Sequence, residues 1–417
     1  MTGDVAIAVG LFVASWLLAN FLTPYFAKLG RRWNVIDNPG ERKVHDTPTP
    51  RTGGMAIFAT IAICVAVGIA VLPRLQQAFF HQPAFFLSLG IGGTLTFLIG
   101  LYDDFTNAGI WQRLLTETIA ALIAVYFGDI VIERLAVPFY GILQLGPASI
   151  PLTVFWIVGV TNAFNIIDGL DGLAGGITFI ACFGVFVVAV LNGDGMAMAA
   201  LALLAGSCLG FLRYNNHPAV VFLGDSGALI LGFLLACISV ETSLKRSTGM
   251  ALIIPMQMLA VPLLDTLYSM GRRLVSTIVR ADDFSPKALL SMFRADREHI
   301  HHVLLDVGFS HPRAVWVLYL LSGFIMTFGL LTALTLNDRI SLLFLMAGLA
   351  GFLIVRHFGE SLPFIRRWKK VERESGQHPP ISGEHDAIHK DRDSSGPHRT
   401  VSSDRDSSGP HPAVGGE

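Results

Sequence analysis

PLTVFWIVGVTNAFNIIDGLDGLAGGITFIACFGVFVVAVL, residues 151–191, contains two apolar stretches joined by a short connection that carries two aspartates. A helix needs about 20 mostly apolar residues to cross the hydrocarbon core of a membrane, where its backbone amides find no water. Each stretch is close to that length and carries no charge. Because the connection is so short, the two stretches predict neighbouring antiparallel membrane helices.

Apolar stretches of the same kind recur along the chain of 417 residues. Hydrophobic residues make up 52% of it and charged residues only 15%, whereas soluble domains carry about 25% charged residues. We predict eleven spans, near residues 4–26, 53–73, 84–102, 114–132, 151–167, 173–191, 196–212, 226–243, 250–271, 314–336 and 340–357. The predicted fold class is therefore all-α, a polytopic integral membrane protein.

The orientation follows from the basic residues of the connections. An odd number of spans places the termini on opposite sides of the membrane, and basic connections mark the cytoplasmic side. Lysines and arginines concentrate in the odd-numbered connections and directly after the last span. The even-numbered connections hold only Arg74, Arg134, Lys245, Arg246 and Arg339. This pattern predicts a cytoplasmic C-terminus and an N-terminus outside.

The chain divides into a predicted transmembrane domain, residues 1–358, and a cytoplasmic tail, residues 359–417. The tail is poor in apolar residues and repeats the octet DRDSSGPH at 391–398 and 404–411, a composition typical of disorder. The net charge of −1 argues against nucleic acid as a partner. Four cysteines lie in apolar runs and are expected to be buried thiols: Cys64, Cys182, Cys208 and Cys237.

Acidic and histidine residues gather at the ends of spans that share the predicted cytoplasmic side. They are Asp103 and Asp104 in GLYDD, Asp168 and Asp171 in NAFNIIDGLDGLAGG, Asp225 in FLGDSGAL, His299, His301 and His302 in REHIHH, and Lys43 and His45 in ERKVHDTPTPRTGG. Ionisable residues at membrane depth are costly and usually face a cavity or a partner. These segments are remote in sequence but share one predicted side of the membrane. We therefore predict that they form a single site at its cytoplasmic rim.

The chemistry of these residues points to a metal ion. Carboxylates without matching cations repel one another unless a metal ion or protons offset the charge. Oxygen ligands suit Mg²⁺, which is commonly held by one or two carboxylates together with substrate phosphates, and Mn²⁺ is an alternative. The aspartates thus suggest a divalent cation and a phosphate substrate. A helix N-cap is the alternative role for Asp225, and a zinc site is the alternative for the three histidines.

The spacing of the aspartates gives two geometric expectations. Asp103 and Asp104 would point about 100° apart on a helix, which favours separate roles. Asp168 and Asp171 would face one side of a helical turn and could clamp one ligand.

Two further motif residues have alternative roles. Arg51 could meet phosphate, although a basic loop beside a membrane is often only a determinant of topology. Asp265, in PLLDT, is expected to pair with Arg272 or Arg273 rather than to touch a substrate.

Six strings, taken in order, resemble those of the polyprenyl-phosphate N-acetylhexosamine-1-phosphate transferases, the membrane superfamily that includes WecA, TagO and MraY. They are RKVHDTPTPRTGG, GLYDD, NAFNIIDGLDGLAGG, FLGDSGAL, PLLDTLYSMGRR and DREHIHH. The histidine string and the number of spans are more similar to the WecA and TagO branch.

The resemblance implies transfer of a sugar 1-phosphate from a UDP-sugar to a polyprenyl phosphate at the cytoplasmic face, with release of UMP. For this branch it implies UDP-N-acetylglucosamine as donor, undecaprenyl phosphate as acceptor and the first membrane step of a cell-envelope polysaccharide, lipopolysaccharide or teichoic acid. UDP-MurNAc-pentapeptide or another UDP-N-acetylhexosamine is the alternative donor, and a homodimer is compatible with the pattern. Outside this class, the alternatives are a secondary transporter with a one-sided carboxylate site and a lipid-binding scaffold.

The resemblance also implies roles for single residues. Asp225 would be the main Mg²⁺ ligand, with Asp168 and Asp104 as further ligands. Asp103 would act as the base toward the acceptor phosphate, assisted by Asp104. The substrate-binding residues would be Asn165, Asp168 and Asp171 toward the nucleotide, Arg297, His299, His301 and His302 toward the sugar diphosphate, and Lys43 and His45 toward phosphate.

Overall fold

The computed structural model describes residues 1–38, 47–106, 108–137, 141–244, 252–281, 299–335 and 338–361. Three predicted substrate-binding residues, Lys43, His45 and Arg297, lie outside the described residues, as does the tail from residue 362 onward. The roles of these three residues and the disorder of the tail stay predictions.

The described chain is α-helical apart from two antiparallel strand pairs, which confirms the all-α class. The helices are α1 Thr2–Arg32, α2 Gly53–Val71, α3 Pro73–His81, α4 Pro83–Thr106, α5 Ile110–Gly128, α6 Ser149–Ile167, α7 Leu173–Asn192, α8 Gly195–Asn215, α9 Gly224–Leu244, α10 Ile253–Met258, α11 Ala260–Ala281, α12 Ile300–Asp306, α13 His311–Thr335 and α14 Asp338–Ser361. Strand β1 (Ile36–Asp37) pairs with β2 (Thr49–Pro50), and β3 (Arg134–Val137) pairs with β4 (Gly141–Gln144).

Ten helices of the described ranges are long and apolar enough to cross a membrane, one fewer than predicted. The difference lies in the predicted span 250–271, which is divided into α10 and α11 at Leu259. Pro262 gives a physical reason, because proline has no N–H to continue a helix but is tolerated in the first turn of a new one. The four cysteines are buried and unpaired, as predicted.

Helix α1 packs on α8 through small side chains. Its buried face repeats every three or four residues and consists of Ala8, Leu11, Ser15, Ala19, Thr23, Ala27 and Gly30. On α8, a Cβ atom added to Gly210 would lie 2.5 Å from the carbonyl oxygen of Trp16 and 2.8 Å from the Cβ of Ala19. Small residues at membrane helix interfaces allow the backbones to approach closely, and this contact fixes α8 within the bundle.

The start of α2 is joined to the start of α9 by backbone hydrogen bonds. Phe222 N–H donates to the carbonyl oxygen of Pro50 (2.9 Å), and the N–H groups of Gly53 and Gly54 donate to those of Phe222 and Leu223 (2.9 and 2.7 Å). Backbone groups at a helix start lack partners within the helix, so this pairing satisfies them. It also fixes one end of the bundle, where the predicted site residues lie.

The contact between α1 and α8 predicts the effect of a larger side chain. Gly210→Leu should lower the melting temperature of the detergent-purified protein by several degrees, because overpacking costs about 1–3 kcal/mol. Gly10 on α1 is the matched control, since nothing lies within 4 Å of a Cβ added there. Equal melting temperatures for G210L and G10L would contradict this account of the packing.

Candidate active site

Asp104, at the end of α4, caps the start of α9. Its Oδ1 accepts a hydrogen bond from the N–H of Asp225 (2.9 Å), and its Oδ2 accepts from the N–H and the hydroxyl of Ser226 (3.1 and 2.7 Å). Gly224 has φ +74°, and a Cβ there would lie 2.7 Å from both Asp104 carboxylate oxygens, so this position favours glycine. The alternative role of Asp225 as the N-cap is wrong, because a carboxylate from another helix provides the cap.

The carboxylate of Asp225 instead joins a cluster with Asp103, Arg113 and Asn165. Arg113 NH1 donates to Asp103 Oδ2 (2.7 Å) and lies 3.5 Å from Asp225 Oδ2. The Asn165 amide donates to Asp225 Oδ1 (2.7 Å) and accepts from Arg113 (3.3 Å) in the orientation that satisfies both neighbours. The Asp103 and Asp225 carboxyl groups are within hydrogen-bonding reach of each other. Three segments, at the ends of α4, α6 and α9, thus meet as predicted.

Asp225 is the more accessible carboxylate of this pair. Its side chain is 32% exposed, whereas that of Asp103 is 9% exposed and also accepts a hydrogen bond from the N–H of Ala108 (2.5 Å). Asp225 is therefore the carboxylate of this pair that is more open to a ligand. The separate directions of Asp103 and Asp104, expected from their adjacent positions on a helix, are confirmed.

Arg113 was missed as a site residue because the sequence marks it only as one basic residue of a connection. The available signal was its place at the start of α5, ten residues after Asp103 and on the same side of the membrane. One turn further along α5, the buried Glu117 accepts a hydrogen bond from Asn162 of α6. Helices α5 and α6 are thus bridged by polar side chains at two successive turns.

The connection between α6 and α7 is not helical, so Asp168 and Asp171 do not share one face. Asp171 Oδ2 contacts His217 Nδ1 (2.8 Å) and accepts from the N–H of Ala219 (3.1 Å). The carboxyl of Asp168 faces the charges of Asp104 and Arg51. The expectation that Asp168 and Asp171 clamp one ligand from a helical turn is therefore wrong in its geometry, and each carboxylate has its own surroundings.

Burial, together with the charge of the neighbouring Asp104 carboxylate, raises the pKa of the Asp168 carboxyl to about 7, and the guanidinium of Arg51 opposes this shift. Because the folded-state pKa lies above the ordinary value, the neutral form of Asp168 is favoured as the pH falls below 7. Its carboxyl accepts no hydrogen bond from any residue in the described ranges. Asp168 is therefore available to a cation or a ligand.

His217 and His311 join Asp171 at this turn, and the sequence interpretation did not include them. Their rings stack with centroids 4.4 Å apart, and the N–H of Asp171 donates to His311 Nε2 (2.8 Å). These three are, within the described chain, the one set of three or more histidine, cysteine and acidic side chains whose ligand atoms all lie within 4.8 Å of one another, close enough to share a metal ion. However, Nε2 of His311 already accepts a hydrogen bond from the N–H of Asp171, so this nitrogen is not available to a metal ion. We therefore interpret the three residues as a hydrogen-bonded cluster that stabilises the turn.

The predicted histidine motif packs against the same turn. A Cβ on Gly169 would collide with Nε2 of His301, and the His301 and His302 rings lie 4.3 Å apart. Burial lowers the pKa of His301 well below its ordinary value, and the charges of His302 and His299 lower it further. His301 is therefore neutral at pH 7 and acts as a hydrogen-bonding group rather than a cation.

Asp265 has other partners than expected. His299 Nδ1 lies 2.9 Å from its Oδ2, while the N–H of Ile300 and NH1 of Arg356 donate to its Oδ1 (2.8 and 3.2 Å). The expected pairing with Arg272 or Arg273 is wrong. Its spacing suggested a partner on the same helix, whereas the cation comes from α14.

These observations define a class of protein, namely a multi-pass membrane protein with carboxylate, arginine and histidine side chains converging at one end of the bundle. Residues 86–243 match the family model described as glycosyl transferase family 4. A Bacillus subtilis protein named "Probable undecaprenyl-phosphate N-acetylglucosaminyl 1-phosphate transferase" is 34% identical over 75% of this chain and 81% of its own length.

Two further relatives cover more of the chain. The Mycobacterium tuberculosis "Decaprenyl-phosphate N-acetylglucosaminephosphotransferase" is 32% identical over 86% of this chain and 89% of its own length. The "Undecaprenyl-phosphate alpha-N-acetylglucosaminyl 1-phosphate transferase" of Escherichia coli K12 is 27% identical over 90% of this chain and 99% of its own length. The chain belongs to the family of polyprenyl-phosphate N-acetylglucosamine 1-phosphate transferases.

The different surroundings of Asp104 and Asp225 predict different effects on stability. Asp104→Ala should lower the melting temperature, because loss of a helix cap costs about 0.5–2 kcal/mol. Asp225→Asn should leave the melting temperature unchanged or raise it, because it removes one of two neighbouring carboxylates. Thermal unfolding of both variants in detergent checks this, and a larger loss for D225N would contradict the capping assignment.

Proposed function

We propose that this protein transfers N-acetylglucosamine 1-phosphate from UDP-N-acetylglucosamine to undecaprenyl phosphate or a similar polyprenyl phosphate, with release of UMP. The observation that carries the proposal is the cluster of Asp103, Arg113 and Asp225 at the end of a membrane bundle. Relatives that match most of the chain are named for this transfer. A lipid acceptor and a water-soluble donor can meet at such a rim, which we place at the cytoplasmic face of the plasma membrane.

The residues present fit a divalent cation. Asp103 and Asp225 share a single guanidinium, so negative charge remains in the cluster. Mg²⁺ is usually held by one or two carboxylates together with substrate phosphates and waters. The proposed site therefore does not need three ligands from the protein. We assign Asp225 as the main ligand, Asp168 as a further ligand, and Mn²⁺ as a substitute for Mg²⁺. Asp104 is the weakest of the three ligands implied by the resemblance, because its oxygens already accept three hydrogen bonds.

The transfer exchanges one phosphoanhydride bond for another. An oxygen of the acceptor phosphate bonds to the β-phosphorus of the donor, and the bond from that phosphorus to the bridging oxygen breaks, so that UMP leaves with the bridging oxygen. A metal ion held by Asp225 and Asp168 would neutralise charge on the donor pyrophosphate. Arg113 adds a fixed positive charge beside the reacting phosphates, where a preorganised donor is most effective. Asp103 holds Arg113 and accepts the proton of an acceptor phosphate that still carries one.

Purified protein supplied with Mg²⁺, undecaprenyl phosphate and UDP-N-acetylglucosamine should release UMP in proportion to lipid-linked sugar. Asp225→Asn should lower this turnover by at least about a hundredfold, since it removes the main carboxylate ligand of the proposed metal ion, which would offset charge on the reacting phosphates.

Asp129→Asn is the matched control for this assay. Asp129 is exposed at the end of α5 with φ +54°, a conformation that asparagine adopts readily, so D129N should keep full turnover. Release of UMP only with UDP-MurNAc-pentapeptide would overturn the donor assignment. No UMP with any UDP-sugar would remove the transferase proposal and favour transport or lipid binding.

Asp103 is placed on the acceptor side of the reaction. Asp103→Asn should lose most turnover but keep the affinity for UDP-N-acetylglucosamine, because Asp225 and Asp168 remain in place. Equilibrium binding of the radiolabelled donor, compared with steady-state turnover, separates the two effects. A loss of donor affinity equal to that of D225N would contradict the acceptor role.

A further inference from the structure

Arg356 is a fully buried arginine on the last helix, α14, with 1% of its side chain exposed. Its guanidinium donates to Asp265 Oδ1 and lies 4.0 Å from the centre of the Tyr268 ring. Asp265 and Tyr268 are one turn apart on α11. A single side chain from the end of the described chain thus reaches a helix that begins almost a hundred residues earlier.

Asp265 connects Arg356 to the histidine motif. The same carboxylate contacts His299 Nδ1 and accepts from the N–H of Ile300, the first residue of α12. It therefore fixes both the ring of His299 and the backbone at the start of the helix that carries His301. A carboxylate at Nδ1 sets the tautomer of an imidazole and leaves Nε2 free for a ligand.

The buried carboxylate depends on the arginine. The Asp265 side chain is also only 1% exposed, and a buried charge without a counter-charge is strongly unfavourable. Among the described residues, Arg356 is the one lysine or arginine in contact with Asp265. The planar guanidinium donates a hydrogen bond to the carboxylate and also lies over the Tyr268 ring. Lysine cannot make both contacts in this way.

We propose that Arg356 is a positioning residue for the histidine motif, acting through Asp265 to hold His299 and the start of α12 against the site. This rests on the proposed function for its effect on turnover, since His299 would contact the donor diphosphate. The His301 ring lies against Gly169, beside Asp168. Displacement of α12 at its first residue therefore also moves His301 relative to the carboxylates.

The first test needs no substrate. Diethyl pyrocarbonate modifies accessible, unprotonated imidazoles, and peptide mass spectrometry gives the rate at His299 in the full-length protein. Arg356→Met should raise this rate severalfold, and Arg356→Lys should raise it less. Arg32→Gln, at an exposed arginine that ends α1, should leave it unchanged. A wild-type rate in R356M overturns the proposal, whether or not the protein releases UMP.

The second test uses turnover. R356M should lower kcat/KM for UDP-N-acetylglucosamine by about tenfold or more, as is usual when an outer partner of a functional histidine is lost, and leave KM for undecaprenyl phosphate unchanged. In the His299→Ala background, R356M should cause no further loss. Additive losses, or equal effects on both substrates, would show that Arg356 only stabilises the fold. If R356M does not fold, R356K combined with H299A completes the same cycle.

An absence of UMP from the wild-type protein would count against the proposed function alone. The labelling rates would then still decide the role of Arg356.

Discussion

The cap that Asp104 places on α9 is the constraint on which the rest of the site depends. The first amides of a helix have no partner within the helix, and in a membrane protein water cannot be relied on to satisfy them. Asp104 supplies both carboxylate oxygens to this end, across the contact between α4 and α9. Because the cap comes from another helix, Asp225 does not need to bend back to its own backbone. Its carboxylate is left to face Arg113 and Asn165.

Much of the fold could be predicted from composition, because the cost of burying backbone in lipid forces long apolar helices. Ten of the eleven predicted spans have a counterpart among the membrane-length helices of the described ranges, and the predicted convergence of the segments that carry Asp103, Asn165 and Asp225 is confirmed. The remaining predicted span, 250–271, is divided at Leu259, which was not predicted. Hydropathy is averaged over a window of residues and does not show that Pro262 lacks the N–H needed to continue a helix. The orientation in the membrane stays a prediction.

The partner of each charged side chain was harder to predict than the convergence of the charged residues at one end of the bundle. Spacing suggested that Asp168 and Asp171 act together and that Asp265 pairs within its own helix, yet all three have partners from other segments. Periodicity describes neighbours on one helix, whereas the partner of a buried charge is set by how helices pack. Arg113 and Arg356 illustrate this, because the sequence marks Arg113 only as a basic residue of a connection and Arg356 only as one near the end of the last predicted span. A basic residue that flanks a span has two uses, lipid attraction and ion pairing, and sequence alone does not distinguish them.

The balance of charge at the site explains why a cation belongs to the proposed reaction. Asp103, Asp104, Asp168 and Asp225 face two guanidinium groups, those of Arg113 and Arg51, and Arg51 is also paired with Asp37. A donor pyrophosphate and an acceptor phosphate would add further negative charge to a space enclosed by helices. Like charges in such surroundings are unfavourable unless protons or a metal ion offset them. Protonation of Asp168, with its pKa of about 7, offsets one of these charges, and the proposed divalent ion beside Asp225 would offset more of the charge that both phosphates bring.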